Sequence, residues 1–240
     1  MRSSLLVRGI AGESCIIDTG PEFRLQAIRA GITHLDAIFL THPHADHLHG
    51  LDDVRPLCHH RPLPVYGNRP TIKEMQERFS YVFKETQVGG GKPKLTPIIV
   101  NPKAEAPISI GNLTFTPLEI LHGRLSILGW SIQEGPKQVV YITDASEIPS
   151  DTMQCLRRSP LDVLILGALR LRPHPTHFSF EEAVEVVSHI KPRGCYVTHI
   201  CHDLCHRDIA TYLAEQGLTR GLSRGTILPA YDGLSITIAR

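Results

Sequence analysis

Four side chains that bind divalent cations, His42, His44, Asp46 and His47, fall within six residues of the segment Thr41-His-Pro-His-Ala-Asp-His-Leu-His-Gly50. Buried imidazole and carboxylate groups cost free energy unless something pairs with them, and a divalent cation satisfies several at once. The chemistry this density points to is metal-assisted hydrolysis. The segment reads as half of a two-ion site, in which the ions sit roughly 3.5 to 4 Å apart. A polar surface loop is the alternative, and it gives no reason for the spacing.

The other half has to come from elsewhere in the chain. Candidates stand where apolar, β-prone runs stop: His122 after 113–121, Asp144 after 139–143 and His199 after 195–198. The run 35–40 likewise delivers His42 and His44 to the end of a strand, where side chains two apart point the same way and reach one ion. Asp46 and His47, beyond a turn at Ala45, face a second. One histidine at a strand end is more often structural than a ligand; the ordered set is what lifts these three above that reading.

In order, these residues resemble the metallo-β-lactamase superfamily, with its His-x-His-x-Asp-His, a later His, a later Asp and a final His. Within it the chain most resembles the PhnP-like group, phosphoribosyl cyclic phosphodiesterases. The likeness runs through Arg2-Ser-Ser-Leu-Leu, Ile17-Asp-Thr-Gly-Pro-Glu-Phe-Arg24, Gly50-Leu-Asp-Asp-Val-Arg-Pro56, Tyr141-Ile-Thr-Asp144, Pro175-Thr-His177, Thr198-His199 and Ala230-Tyr-Asp-Gly-Leu234. It covers nearly the whole chain. It implies an α/β fold, the αββα sandwich of two mixed sheets with helices outside, as a single domain over 1–240. It also implies that His42, His44 and His122 bind one metal, that Asp46, His47 and His199 bind the other, and that Asp144 bridges them. His177, twenty-two residues before His199, would protonate the leaving group. The implied cofactors are two divalent ions, zinc or manganese, with the family leaning to manganese. They would share a bridging hydroxide that attacks a small, cyclic phosphodiester of ribose or a nucleotide. A thioester or lactone hydrolase of the same fold and a catalytically silent metal-binding module are the alternatives. Homodimers are common in this branch, which implies one here.

One departure stands out. Members of the branch open with a Gly-Thr-Gly strand and a Cys-x-Cys-x-x-Cys cluster, which holds a structural zinc together with a histidine three places after the last catalytic ligand. This sequence starts at Met1-Arg-Ser-Ser-Leu, inside that scheme, so His202 is left as an orphaned ligand. Cys201, Cys205 and His206 lie beside it. Together these could rebuild a zinc site, but one cluster without a second pair is a weak signal, and reduced thiols near a helix start are the expected reading.

Length and charge bound the rest. A chain of 240 residues with 42% hydrophobic content can bury a substantial core. A net charge of +1 with no polybasic run argues against an extended nucleic-acid surface and favours a small substrate. A transfer-RNA nuclease would need a longer basic arm than the chain offers. No leading apolar signal and no bilayer-length stretch accompany the six scattered cysteines, so a cytoplasmic protein with reduced thiols is expected.

Strands are expected over 3–7, 15–18, 35–41, 113–121, 127–133, 139–143, 161–166, 195–199 and 234–238, and helices over 22–30, 71–83, 149–157, 179–190 and 207–216. Ser179 and Glu182 make a capping box that starts a helix just after His177. Gly89-Gly-Gly-Lys-Pro-Lys94 reads as a solvated loop or a lid, with Lys92 and Lys94 suited to a phosphate. Asp18 is expected to anchor its turn by hydrogen bonding. Asp52, Asp53 and Arg55 are read as a structural charge cluster, and His34, His49, His59, His60, His189 and His206 as solvated or packed. His174 is close enough to His177 to exchange roles with it.

Overall fold

The structure is a computed structural model that describes residues 1–59, 61–85, 91–103 and 106–238. The chain forms two compact units, Met1–Pro117 and Leu118–Arg240.

The first unit is built on a five-stranded sheet of order β1-β2-β3-β4-β5, from Leu5–Arg8, Ser14–Ile17, Ala37–Phe39, Leu63–Gly67 and Leu95–Ile99. β1 runs antiparallel to β2 and the other pairs are parallel. β2 and β3 are buried along their whole length, as strands covered on both faces must be. On one face Ile16, Ile38 and Val65 pack with Phe23 of α1 (Phe23–Arg29) and with Ile72 and Met75 of α3 (Arg69–Arg78). On the other, Phe39 stacks on Tyr66 and on Phe115, the latter at 3.9 Å between ring centroids. A short helix α2 (Ala45–Leu48) and a 3-10 helix (Leu51–Cys58) follow β3.

The second sheet has order β12-β11-β10-β9-β8-β7-β6. β6 (Ile108–Ile110) and the start of β7 (Leu113–His122) belong to the first unit. The end of β7, β8 (Leu125–Glu134), β9 (Lys137–Ile142), β10 (Val163–Gly167), β11 (Gly194–Thr198) and β12 (Ile227–Pro229) belong to the second. β9, β10, β11 and β12 are mutually parallel. Helices α5 (Ser150–Arg157), α6 (Phe180–Ile190) and α7 (His206–Thr219) follow β9, β10 and β11 in turn. Their apolar faces, with Leu156, Val184, Val187 and Leu213, form one core with Val140, Leu164 and Val197 of the strands. The Ser179–Glu182 capping box is formed in both directions and starts α6.

Several expectations need correction. Residues 234–238 alternate like a strand but form none, because β-propensity is realised only against a partner strand. The expected helix over 71–83 breaks at Phe79 into α3 and α4 (Ser80–Phe83). β4 and β5 were not anticipated. Each carries a proline, and Pro97 is tolerated because β5 is the last strand of its sheet. Residues 89 and 90 of the glycine stretch, and His60, lie outside the described residues. Beyond them, the Lys92 ammonium bonds the carbonyls of Tyr81 and Lys84, and that of Lys94 bonds His59. Among the described residues no helix is long and apolar enough to cross a membrane.

Candidate active site

In the first unit the metal-type residues are organised by one carboxylate. Asp18 follows β2 in the left-handed region, at φ 61, and its side chain is fully buried. It accepts hydrogen bonds from the Thr41 amide and hydroxyl, both at 2.8 Å, and from His47 Nδ1 at 2.8 Å. Burial pushes its pKa up, while His47 and the Thr41 donors pull the other way. The Thr41 hydroxyl spends its one proton on Asp18, so its bond to His42 Nδ1, 3.0 Å away, is one it accepts. One carboxylate therefore sets two imidazoles, His47 directly and His42 through Thr41, with protons on Nδ1 and lone pairs on Nε2. This is the outer-shell arrangement that orients histidines towards a metal.

What those lone pairs face fits a cation. His42 Nε2 lies 3.0 Å from His44 Nδ1, the separation of two nitrogens about 2.1 Å from one ion at a right angle. His47 Nε2 lies 3.3 Å from an Asp46 carboxylate oxygen. Backbone packing holds the segment in place. Thr19 donates to the His47 carbonyl and Gly50 to the Thr19 carbonyl, both at 2.8 Å. A Cβ on Gly20 would stand 2.3 Å from the Asp46 carbonyl oxygen, and one on Gly50 2.0 Å from that of Gly20. Only glycine permits that approach.

In the second unit the residues come from strand ends. Asp144 follows β9 at φ 53 and His199 follows β11 at φ 57. Such left-handed conformations in non-glycine residues cluster at functional sites. Parallel register brings the two together. Ile142 pairs with Leu166, and Gly167 pairs with Thr198, so both strands deliver their next residues at one edge. His199 Nε2 is 3.4 Å from one Asp144 oxygen, and His177 Nδ1 is 3.8 Å from the other. His122, at the end of β7, directs Nδ1 at the Thr176 carbonyl at 2.6 Å, which puts the proton on Nδ1 and leaves Nε2 basic. One ligand atom each from His122, Asp144 and His177 lies within 4.8 Å of the others. The His177 ring sits 4.7 Å from His122, 4.9 Å from His174 and 5.0 Å from His199. Burial, followed by the neighbouring imidazoles, brings its pKa down to about 4 against the pull of Asp144. It is neutral at neutral pH.

The expected residues thus group as His42, His44, Asp46 and His47 in one unit and His122, Asp144, His177 and His199 in the other. Among the described residues no ligand group includes Cys201, His202, Cys205 or His206. Asp18 bonds as expected, but its role in fixing His47 and His42 was not read from the sequence, nor was the Thr176 carbonyl. A polar residue directly after a buried strand, as in Asp18-Thr-Gly20, was the available signal. Asp52 and Arg55 are engaged within the first unit, with the Tyr81 hydroxyl and the Gly91 carbonyl.

Comparison with known proteins gives the chain a family. The family described as the beta-lactamase superfamily domain matches residues 14–200. A structure of a new diphosphatase from the PhnP family is 36% identical, with a TM-score of 0.81, over 98% of this chain and 82% of that one. The metallo-β-lactamase fold protein YhfI from Bacillus subtilis is 22% identical, with a TM-score of 0.74, over 97% and 90%, and shares the fold. An octanoyltransferase from Porphyromonas gingivalis is 38% identical over 204 residues, 84% of this chain, which spans only 39% of that relative's length. Two mixed sheets with helices, a histidine-rich set of metal-type residues and this similarity agree: the chain belongs to the metallo-β-lactamase superfamily and is PhnP-like.

Proposed function

We propose that the protein is a phosphodiesterase that uses two divalent ions, zinc or manganese, and acts on a small, cyclic phosphodiester of ribose or a nucleotide. The two units would act as one hydrolase domain, with His42, His44 and His122 on one ion, Asp46, His47 and His199 on the other, and Asp144 between them. The observation that carries the reading is the set of three imidazoles, His42, His47 and His122, whose Nδ1 atoms carry the proton into a hydrogen bond, so that each presents an Nε2 lone pair, the tautomer a metal ion takes. The bound ions would polarise a phosphoryl oxygen and lower the pKa of a water. Asp46 and Asp144 supply the negative charge that balances the cations. His177, neutral in its present surroundings, gains basicity from the charge that a phosphodiester brings, takes up a proton from solvent, and as imidazolium hands that proton to the departing alkoxide. The free thiols of all six cysteines support a cytoplasmic setting.

The similarity to a named diphosphatase supports phosphorus as the reacting centre. The relative named octanoyltransferase favours a second reading, hydrolysis of an acyl thioester. The deciding assay offers the manganese-loaded protein bis(p-nitrophenyl) phosphate, a phosphomonoester, a dinucleoside diphosphate and an octanoyl thioester. Turnover of the diester that is lost in Asp144→Ala is the expected result. Thioester cleavage alone would move the assignment to the second reading, and no turnover with two ions bound would leave a silent metal-binding module.

A further inference from the structure

The loop that carries His177 holds a second histidine that the proposed chemistry does not use. His174 Nδ1 accepts a hydrogen bond from the Thr176 amide at 3.3 Å and lies 3.3 Å from the Thr176 hydroxyl. Its ring packs at 4.9 Å and 52° against His177. Thr176 in turn offers its carbonyl to His122 Nδ1, and its methyl sits over Gly123, where a Cβ would come within 2.9 Å. The loop is pinned beyond this point by the Phe178 amide on the Ala145 carbonyl and the Leu169 amide on the Phe178 carbonyl. The stretch from His174 to His177 therefore touches a metal-type histidine through a carbonyl and the candidate proton donor through a ring face. His174 closes the turn between the two.

We infer that His174 is a positioning residue: by accepting from Thr176 it fixes the turn that aims the Thr176 carbonyl at His122 and carries His177 beside it. The inference rests on the phosphodiesterase reading for its kinetic arm. An imidazole that accepts from the amide two residues on does what an asparagine side chain does in an Asx turn. His174→Asn therefore keeps the acceptor, His174→Phe keeps the ring without the acceptor, and His174→Ala keeps neither. A bond of 3.3 Å is long, and a misplaced proton donor costs about 10² at most.

The test measures kcat and KM for these variants on two diesters. Bis(p-nitrophenyl) phosphate expels a phenolate that needs no proton, whereas a nucleoside 2′,3′-cyclic phosphate expels an alkoxide that does. His174→Ala and His174→Phe are expected to lose about tenfold in kcat on the cyclic phosphate, with KM nearly unchanged and little loss on the aryl diester, and His174→Asn to recover most of it. Equal losses on both substrates, a fully active His174→Phe, or a folded His174→Asn as slow as His174→Ala would overturn the inference. A second arm needs no metal or turnover. Long-range nitrogen–proton NMR of the metal-free protein should find His174 protonated on Nε2 and His122 on Nδ1, with the His122 Nδ1–H resonance shifted in His174→Ala. A His174 protonated on Nδ1, or an unmoved His122 resonance, would sink it. If the wild type cleaves neither diester, the phosphodiesterase reading fails, and the NMR arm still decides whether His174 acts through Thr176.

Discussion

The two units present their metal-type residues by different means. In the first, His42, His44, Asp46 and His47 are crowded into one turn, and a single buried carboxylate, Asp18, orients two of them. In the second, His122, Asp144 and His199 end three different strands and are brought together by sheet register. Support there is a backbone carbonyl rather than a side chain. A local cluster concentrates its dependence in one removable group, whereas a strand-end set spreads it over the sheet.

The largest effect should come from the second unit's own carboxylate. Asp144→Asn keeps the shape but removes the negative charge and exchanges one of the two oxygens that face His199 and His177 for an NH2, and kcat for the proposed diester hydrolysis is expected to fall by roughly 10²–10³. Asp18→Asn sharpens the contrast, because it disturbs His42 and His47 together. Metal affinity, measured by competition with a chromogenic chelator, should weaken about 10–100-fold. Thr176 in the second unit has no equivalent liability, since substitution there leaves its carbonyl in place.

Packing gives the next contrast. Gly50→Ala drives a Cβ onto backbone oxygen at 2.0 Å, and Gly167→Ala meets the Asp144 amide at 2.9 Å. Urea unfolding should show a loss of about 2–3 kcal/mol for the first and about 1 kcal/mol for the second. If Gly167→Ala proved the costlier, the second unit would depend on a local contact as much as the first.

The smallest effect concerns pH. Burial pushes the Cys15 thiol in the first unit up to about 12 and raises Cys195 in the second further still. The folded values lie above the unfolded one, so the contribution of each thiol is intact below about pH 9 and is lost progressively from there up to the folded value. Urea midpoints should fall between pH 8 and pH 10 by an amount equivalent to about 1 kcal/mol per thiol, and less in Cys195→Ala.

How legible each half was follows from the same difference. His42, His44, Asp46 and His47 declare themselves because neither core packing nor a solvated loop requires ligand types at that spacing. His122, Asp144 and His199 became candidates only as an ordered set at strand ends. The helix start at Ser179 was fully readable, since a capping box is a local interaction between residues three apart. The stretch 234–238 misled because alternation records fitness for a sheet and says nothing about whether a partner strand exists.

By itself the sequence determined the types of ligand, the dense half of the site, the helix caps and the apolar runs, all of which depend on near neighbours in the chain. Tertiary structure alone decided that Asp18 would hold His47 and, through Thr41, His42. It also decided that Thr176 would fix the tautomer of His122, that His177 would sit among imidazoles with its pKa held down, and that Gly20 and Gly50 would meet backbone to backbone. Each of these is a contact between residues distant in sequence, set by register and close packing, which a linear pattern does not encode.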